Sequence, residues 1–225
     1  MERLAVDRPA FHGHGRMRWD VSVGTLDAIR RLVRPSDRTL EVGVGASTAV
    51  FAASSRSHTA VGIAREEYER LVGYCSTIGL DLGNVEFLQG PSDRVLPTVT
   101  GPFDVVLLDG AHGFPFPIVD FHHASRVLAV GGFLVLDDLP IPSVQILHRY
   151  LRTDPSWSLA EVADDRAAVF QLVAAMPGGD PWQEQPFNRG YPDYSFLPAL
   201  RRVRVRLTSR LRRSRVVRAA LKVQD

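Results

Sequence analysis

The chain has 225 residues, 45% hydrophobic and 23% charged, with a formal net charge of +2, the make-up of a globular protein of one ordinary domain. No apolar run approaches the roughly 20 residues that a membrane-crossing helix needs, and the single cysteine, Cys75, excludes an internal disulfide. The start, Met1 to Asp20, mixes charges, His and Gly where a secretory signal would be apolar, so a cytoplasmic location is expected.

Residues 1–21 read as an N-terminal arm. The first helix follows over Ser22–Val33, where Val23, Leu26, Ile29, Leu32 and Val33 recur at helical spacing and the pattern stops before Pro35. Strands are then predicted at Thr39–Val42, Thr59–Ile63, Val85–Gln89, Asp104–Leu108 and Phe133–Leu136. Helices fall between them near Ser47–Ser54, Glu66–Ile78, Ser92–Val95 and Phe116–Leu128. Such alternation predicts parallel strands joined by right-handed crossovers, hence a doubly wound α/β sheet. A helix at Val144–Leu151 precedes two β runs, Ser158–Val162 and Ala167–Val173, which read as a hairpin closing the sheet. This domain spans 22–176. Residues 177–198, rich in Pro, Gly and aromatics, read as an irregular packed segment, and 199–225 as a basic tail.

The small net charge hides an asymmetry. Of the 27 Lys and Arg residues, ten lie between Arg201 and Lys222 with no acid among them, which leaves an acidic body. Leu200, Val203, Leu207 and Leu211 recur every three or four residues, so the tail can form a basic amphipathic helix. A solvated, partly frayed helix is the first reading, and an anionic membrane surface the next, with a second subunit in a homodimer also open. Nucleic acid is disfavoured, because no aromatic residues interleave the charges.

The densest signal is Thr39-Leu-Glu-Val-Gly-Val-Gly-Ala-Ser-Thr48, a strand ending in an acid, a glycine turn and a helix start. Gly43 and Gly45 let a ligand approach the backbone, and the helix offers free N–H groups. A carboxylate at Glu41 is ill suited to a pyrophosphate but suits an ammonium or sulfonium, and the third glycine of a dinucleotide site is missing. In an open α/β sheet, ligands bind beyond the carboxyl ends of the strands, where the winding reverses. There Asp109-Gly-Ala-His112 ends the fourth strand and Asp137-Asp138 the fifth. Neighbouring strands lie about 5 Å apart, so three carboxylates would crowd together and call for protons or a cation such as Mg²⁺. Blander readings stay open: Asp109 as a loop cap, Asp137-Asp138 as a capping pair before Pro140, and His112 as a structural loop residue. Loop packing is the expectation for Phe114-Pro-Phe-Pro117.

The ordered set Leu40–Thr48, Gly90-Pro-Ser92, Asp104–His112 and Val130–Asp138 resembles a class I S-adenosylmethionine-dependent methyltransferase. The Asp-Gly-x-His and Gly-Gly-x-x-x-x-Asp-Asp elements resemble its metal-dependent O-methyltransferase branch. The resemblance implies a mostly parallel seven-stranded, Rossmann-like sheet with a terminal antiparallel hairpin. It implies that Gly43, Gly45 and Ser47 border the methionine part of the cofactor, that Glu41 faces its amino group, and that Ser92 contacts adenine. Asp109, Asp137 and Asp138 would hold a divalent cation, Asp109 also touching the cofactor, and His112 with Asp109 would serve catalysis. The acid that usually closes strand two is absent from Gly62-Ile-Ala64, so Glu66 or its neighbour Glu67 is expected to bind the ribose. The implied reaction is methyl transfer to a hydroxyl of a small molecule or glycan, with a metal-free transferase and a silent cofactor-binding adaptor as alternatives.

Overall fold

Strand β1 (Arg38–Val42) is buried over its last four residues, as a strand covered on both faces must be. It lies at the centre of a seven-stranded sheet ordered β3-β2-β1-β4-β5-β7-β6. The other strands are β2 (Ser57–Gly62), β3 (Val85–Gln89), β4 (Phe103–Leu108), β5 (Leu128–Leu136), β6 (Trp157–Ala163) and β7 (Ala167–Leu172). The first five run parallel, and β7 is antiparallel to both of its neighbours. This computed structural model describes residues 7, 9, 11, 21–176 and 185–189. The basic tail, Trp19, His12 and His14 lie outside the described residues, as does most of 177–198. The chain divides into two units, Met1–Pro181 and Trp182–Asp225; the described part of the second is a short 3-10 turn, Pro186–Arg189.

Alternation along each strand feeds two cores. Val105 and Leu107 of β4 face the helices α1 (Val23–Leu32), α2 (Ala46–Ser54) and α3 (Arg65–Thr77), with Leu26, Ile29, Phe51 and Leu71 in the same cluster. Val106 and Leu108 face the opposite way, toward α5 (Phe116–Val127) and α6 (Pro142–Leu151), with Phe121, Leu147 and Leu151. A one-turn helix, α4 (Ser92–Val95), completes the set. Helix α1 begins as the sequence suggests, with Ser22 as its cap accepting a hydrogen bond from the Thr25 N–H at 3.1 Å. Phe11 of the arm is buried in the first core, and Arg70 of α3 donates to its carbonyl at 2.7 Å.

Two expectations change. Strand β5 starts at Leu128, five residues before the predicted start, and α5 stops at Val127. Within the added stretch, a Cβ on Gly132 would sit 2.7 Å from the Asp104 carbonyl oxygen. The glycine lets β5 continue past the register shift between Phe103 and Val105 of β4. Phe114 is not packed into the domain; it is 69% exposed.

The sheet register positions the site. Val42 lies opposite Leu108, and Leu108 opposite Leu136, so the chain leaves β1, β4 and β5 at one level. Backbone bonds extend that alignment: the Asp109 N–H donates to the Val42 carbonyl at 2.9 Å and the Asp137 N–H to that of Leu108 at 3.2 Å. The winding reverses between β1 and β4, where neighbours in the sheet cease to be neighbours in sequence.

Beneath this edge lies a stored cost. Asp120 of α5 is 2% exposed, and its Oδ1 has no hydrogen-bond partner among the described residues. Burial pushes its carboxyl up to about 6, against a hydrogen bond from Ser92 that acts the other way. An acid whose folded pKa exceeds its unfolded one loses stability as pH climbs from the unfolded value, about 4, to the folded one. Asp120→Asn, which can keep the Ser92 contact, is therefore expected to add about 1–2 kcal/mol at pH 8 and nothing at pH 4. Urea unfolding at the two pH values measures the difference.

Candidate active site

A cleft of about 600 Å³ opens at the carboxyl ends of β1, β2, β4 and β5, within the size range of small-ligand sites. One wall is the elbow after β1. Gly43 has φ +111°, and a Cβ there would lie 2.5 Å from the Asp109 carbonyl oxygen, so strand ends β1 and β4 meet only because that side chain is missing. The Gly45 N–H donates to Thr48 Oγ1 at 3.0 Å, which orders the start of α2. Gly43, Gly45 and Ser47 all line the cleft, as does Ser92 from the other side.

Glu41 sits elsewhere than the turn-facing position suggests. It has no exposure and is not part of the cleft wall. Ser47 Oγ donates to its Oε2 at 2.7 Å, Thr48 Oγ1 donates to its Oε1, and His58 Nε2 lies 3.1 Å from Oε1. His58 stacks on Phe51 with ring centroids 4.7 Å apart and shares a 2.8 Å hydrogen bond with Thr39. Glu41 thus ties the elbow and α2 together from below, and Ser47 carries that network to the cleft. On α3, Glu67 lines the cleft and Glu66 does not; the acid one residue further along the first helical turn faces inward.

Asp109, His112 and Asp138 meet at the opposite wall, one potential ligand atom from each lying within 4.8 Å of the others. His112 Nε2 is 2.9 Å from Asp138 Oδ2 and 3.6 Å from Asp109 Oδ1. The His112 loop is held by Ser143, whose hydroxyl donates to the His112 carbonyl. Asp138 has φ +57°, a left-handed backbone in which Asp is tolerated at some cost. Its carboxyl is pulled below the usual range, chiefly by the hydrogen bond from His112. Asp109 behaves oppositely: burial, then the neighbouring charges of Asp137, Asp138 and Glu41, hold its carboxyl well above the ordinary value. Asp137 turns away from this group. It is fully buried, reached by Thr25 Oγ1 at 3.4 Å, and burial raises it to about 6.

One residue absent from the sequence reading stands here. Arg166, at the tip of the β6–β7 hairpin, places Nη2 2.7 Å from Asp138 Oδ1 and Nε 3.6 Å from Asp137 Oδ2. The β5–β7 pairing puts Leu136 opposite Ala168, and the same register carried two residues on sets Asp138 opposite Arg166. That was the signal available, but it needs the strand pairing first.

The donor set expected for a divalent ion is therefore not assembled. Asp137 points into the core, and both oxygens of Asp138 are already engaged, by His112 and Arg166. As arranged, these side chains do not fit a hard, oxygen-seeking ion. An adenosyl thioether with an amino-acid tail does fit: the cleft combines backbone N–H groups at a helix start, two serine hydroxyls, an acid at Glu67 and an apolar wall at Ile63.

A family model described as a methyltransferase domain matches residues 40–139, the stretch that carries every cleft-lining residue named above. Over that stretch, 100 of the 225 residues, the chain is similar to a methyltransferase domain. No curated protein matches the sequence. Among solved structures, this chain is similar to cofactor-bound Rv0187 from MTB, at 18% identity over 78% of this chain and 91% of that one, with a TM-score of 0.64. It is also similar to the O-methyltransferase TomG from Streptomyces achromogenes, solved with S-adenosylmethionine, at 20% identity over 70% and 83% of the two chains and a TM-score of 0.60. An rRNA methylase from Streptococcus thermophilus shares the fold at 14% identity over 67% and 95%, with a TM-score of 0.54. At such identities the likeness establishes the fold, and the acceptor must be argued from the site.

Proposed function

We propose that this chain transfers the methyl group of S-adenosylmethionine to a hydroxyl of a small molecule or glycan, with His112 as the general base. The observation that carries this reading is the His112–Asp138 pair, 2.9 Å apart at the wall facing the glycine elbow. Asp138, its carboxyl held below the usual range, accepts from Nε2–H, so Nδ1 is the ring nitrogen left to take the proton. When bound, S-adenosylmethionine supplies a methyl on a positively charged sulfur, whose departure leaves a neutral thioether. The acceptor oxygen forms the new O–C bond as the C–S bond breaks, and its proton passes to His112. The elbow, Ser47 and the α2 N-terminus hold the donor's polar end, while Ser92 and Glu67 are assigned the adenosyl part, Glu67 taking the role expected of Glu66. Positioning supplies much of the rate, because the methyl is already activated.

An ion-assisted form of the reaction has one observation on its side, the three ligand atoms of Asp109, His112 and Asp138 within 4.8 Å. It requires Arg166 to withdraw from Asp138. Chelation separates the two forms: turnover undiminished by EDTA removes the ion from the mechanism.

The test is calorimetric titration of the full chain with S-adenosylmethionine, followed by transfer of labelled methyl to a panel of hydroxyl compounds. One bound donor and a labelled ether product are expected. Binding with no transfer to any acceptor would instead mark a silent adaptor, and no binding would end the reading.

A further inference from the structure

We propose that Arg166 is the resident cation of the strand-end acid cluster, occupying by its guanidinium the place beside Asp137 and Asp138 that a divalent ion would need, so that the site works without bound metal. The role of the cleft rests on the methyltransferase reading; the pairing of Arg166 with the acids does not.

Four carboxylates end up at one edge of the sheet because β1, β4 and β5 are neighbours: Glu41, Asp109, Asp137 and Asp138. Such a group folds only if protons or positive charges compensate it. Glu41 is answered from below by Ser47, Thr48 and His58. The remaining three face two basic side chains, His112 and Arg166. Asp138 lies between them, with Oδ2 at 2.9 Å from the imidazole and Oδ1 at 2.7 Å from the guanidinium. Asp137, fully buried, has Arg166 Nε at 3.6 Å as the nearest positive charge to its Oδ2. One guanidinium thus bonds Asp138 through Nη2 and brings its charge to 3.6 Å from Asp137, where Nε and Oδ2 form no hydrogen bond.

The hairpin tip is built to hold that arginine in place. Asp164 and Asp165 adopt left-handed φ values of 50° and 52°, which turn the chain sharply just before Arg166. Asp164 Oδ2 accepts from the Gly24 N–H at 2.7 Å and from Ser22 Oγ at 3.0 Å, pinning the tip to the start of α1. On the other side the Leu139 N–H donates to the Arg166 carbonyl at 2.8 Å, fixing it against the turn after β5. A fixed guanidinium beside Asp138 repels a second cation and occupies one of the two oxygens the ion would use. Arg166 lies outside residues 40–139, the stretch that the family model matches, and comes from the β6–β7 hairpin.

The test uses Mn²⁺ as the probe, titrated by electron paramagnetic resonance against the full chain in the presence of S-adenosylhomocysteine. Wild type is expected to show no saturable Mn²⁺ site. Arg166→Gln should gain one, binding at least about tenfold more tightly than wild type because the vacated acids take the ion. Arg166→Lys should exclude Mn²⁺ as wild type does. Adding Asp138→Asn to the Gln variant should abolish the new site. A tight one-to-one Mn²⁺ site in wild type, or no gain in Arg166→Gln, overturns the proposal. If Arg166→Gln does not fold, Arg166→Met, which keeps the packing of the stem, takes its place under the same two outcomes. Calorimetry of S-adenosylhomocysteine on wild type is read separately. Its failure would remove the methyltransferase reading and leave the Mn²⁺ result to decide the role of Arg166.

Discussion

His112→Gln is expected to lower kcat by about 100- to 10,000-fold, the span that a positioned general base contributes, while the affinity for S-adenosylmethionine stays near that of wild type. Glutamine is the informative replacement. Its amide can still donate toward Asp138, as Nε2 of the imidazole does at 2.9 Å, and the loop keeps its anchor because Ser143 bonds the backbone carbonyl, not the ring. What glutamine cannot do is take a proton. Only the chemical step should therefore suffer, and a measurement that separates kcat from donor affinity sees it directly. Equal turnover in the variant would make His112 a loop residue whose hydrogen bond merely steadies Asp138. A loss of donor binding of similar size would place it instead among the residues that shape the cleft.

What the sequence revealed, and what it hid, follows from how locally each feature is encoded. Strand β4 was legible to within a residue, since a run of apolar residues bounded by Asp104 and Asp109 has no other stable use. The elbow was legible too, because an acid, two glycines and a helix start lie within ten residues. Orientation was harder. Glu41 lies one residue before the end of its strand, yet its side chain belongs to the layer under the turn, where Ser47 and Thr48 donate to it and His58 lies beside it. His58 comes from the next strand, and the pairing of Glu41 with Ala60 across β1 and β2 is knowable only once the sheet is formed. The acids after β5 pose the same problem. Asp137 and Asp138 are adjacent and chemically alike, but consecutive residues leaving a strand point to opposite sides. Only Asp138 reaches the cleft. Arg166 was invisible because its partner lies 28 positions earlier and is met through an antiparallel register, with nothing in the local pattern Asp164-Asp-Arg166 to distinguish it from an ordinary solvated turn.

Gly43→Ala tests the elbow itself, and its effect should exceed any other small substitution in the cleft. Two costs combine. The backbone has φ +111°, where an L side chain is strained by about 1–2 kcal/mol, and the new methyl would lie 2.5 Å from the Asp109 carbonyl oxygen. That oxygen belongs to backbone already fixed by the Asp109 N–H bond to Val42, so it cannot swing aside as a flexible side chain would. Overpacking against a rigid group adds about 1–3 kcal/mol. The chain can relieve the overlap by parting β1 from β4 or by shifting the Gly43–Ser47 turn. The first lowers global stability by about 3 kcal/mol; the second moves the N–H groups that face the cleft and weakens donor binding by about 100-fold, the equivalent of the same energy. Urea unfolding and S-adenosylhomocysteine calorimetry on the one variant show how the cost divides, and the two losses together should account for it. Gly73→Ala is the matched control: it lies within α3, where a Cβ would meet nothing within 4 Å, and alanine favours the helix by about 1 kcal/mol. A gain at Gly73 beside a severe loss at Gly43 locates the constraint in the elbow. If Gly43→Ala binds the donor as wild type does and unfolds at the same urea concentration, the close approach of the two strand ends is not what shapes this site.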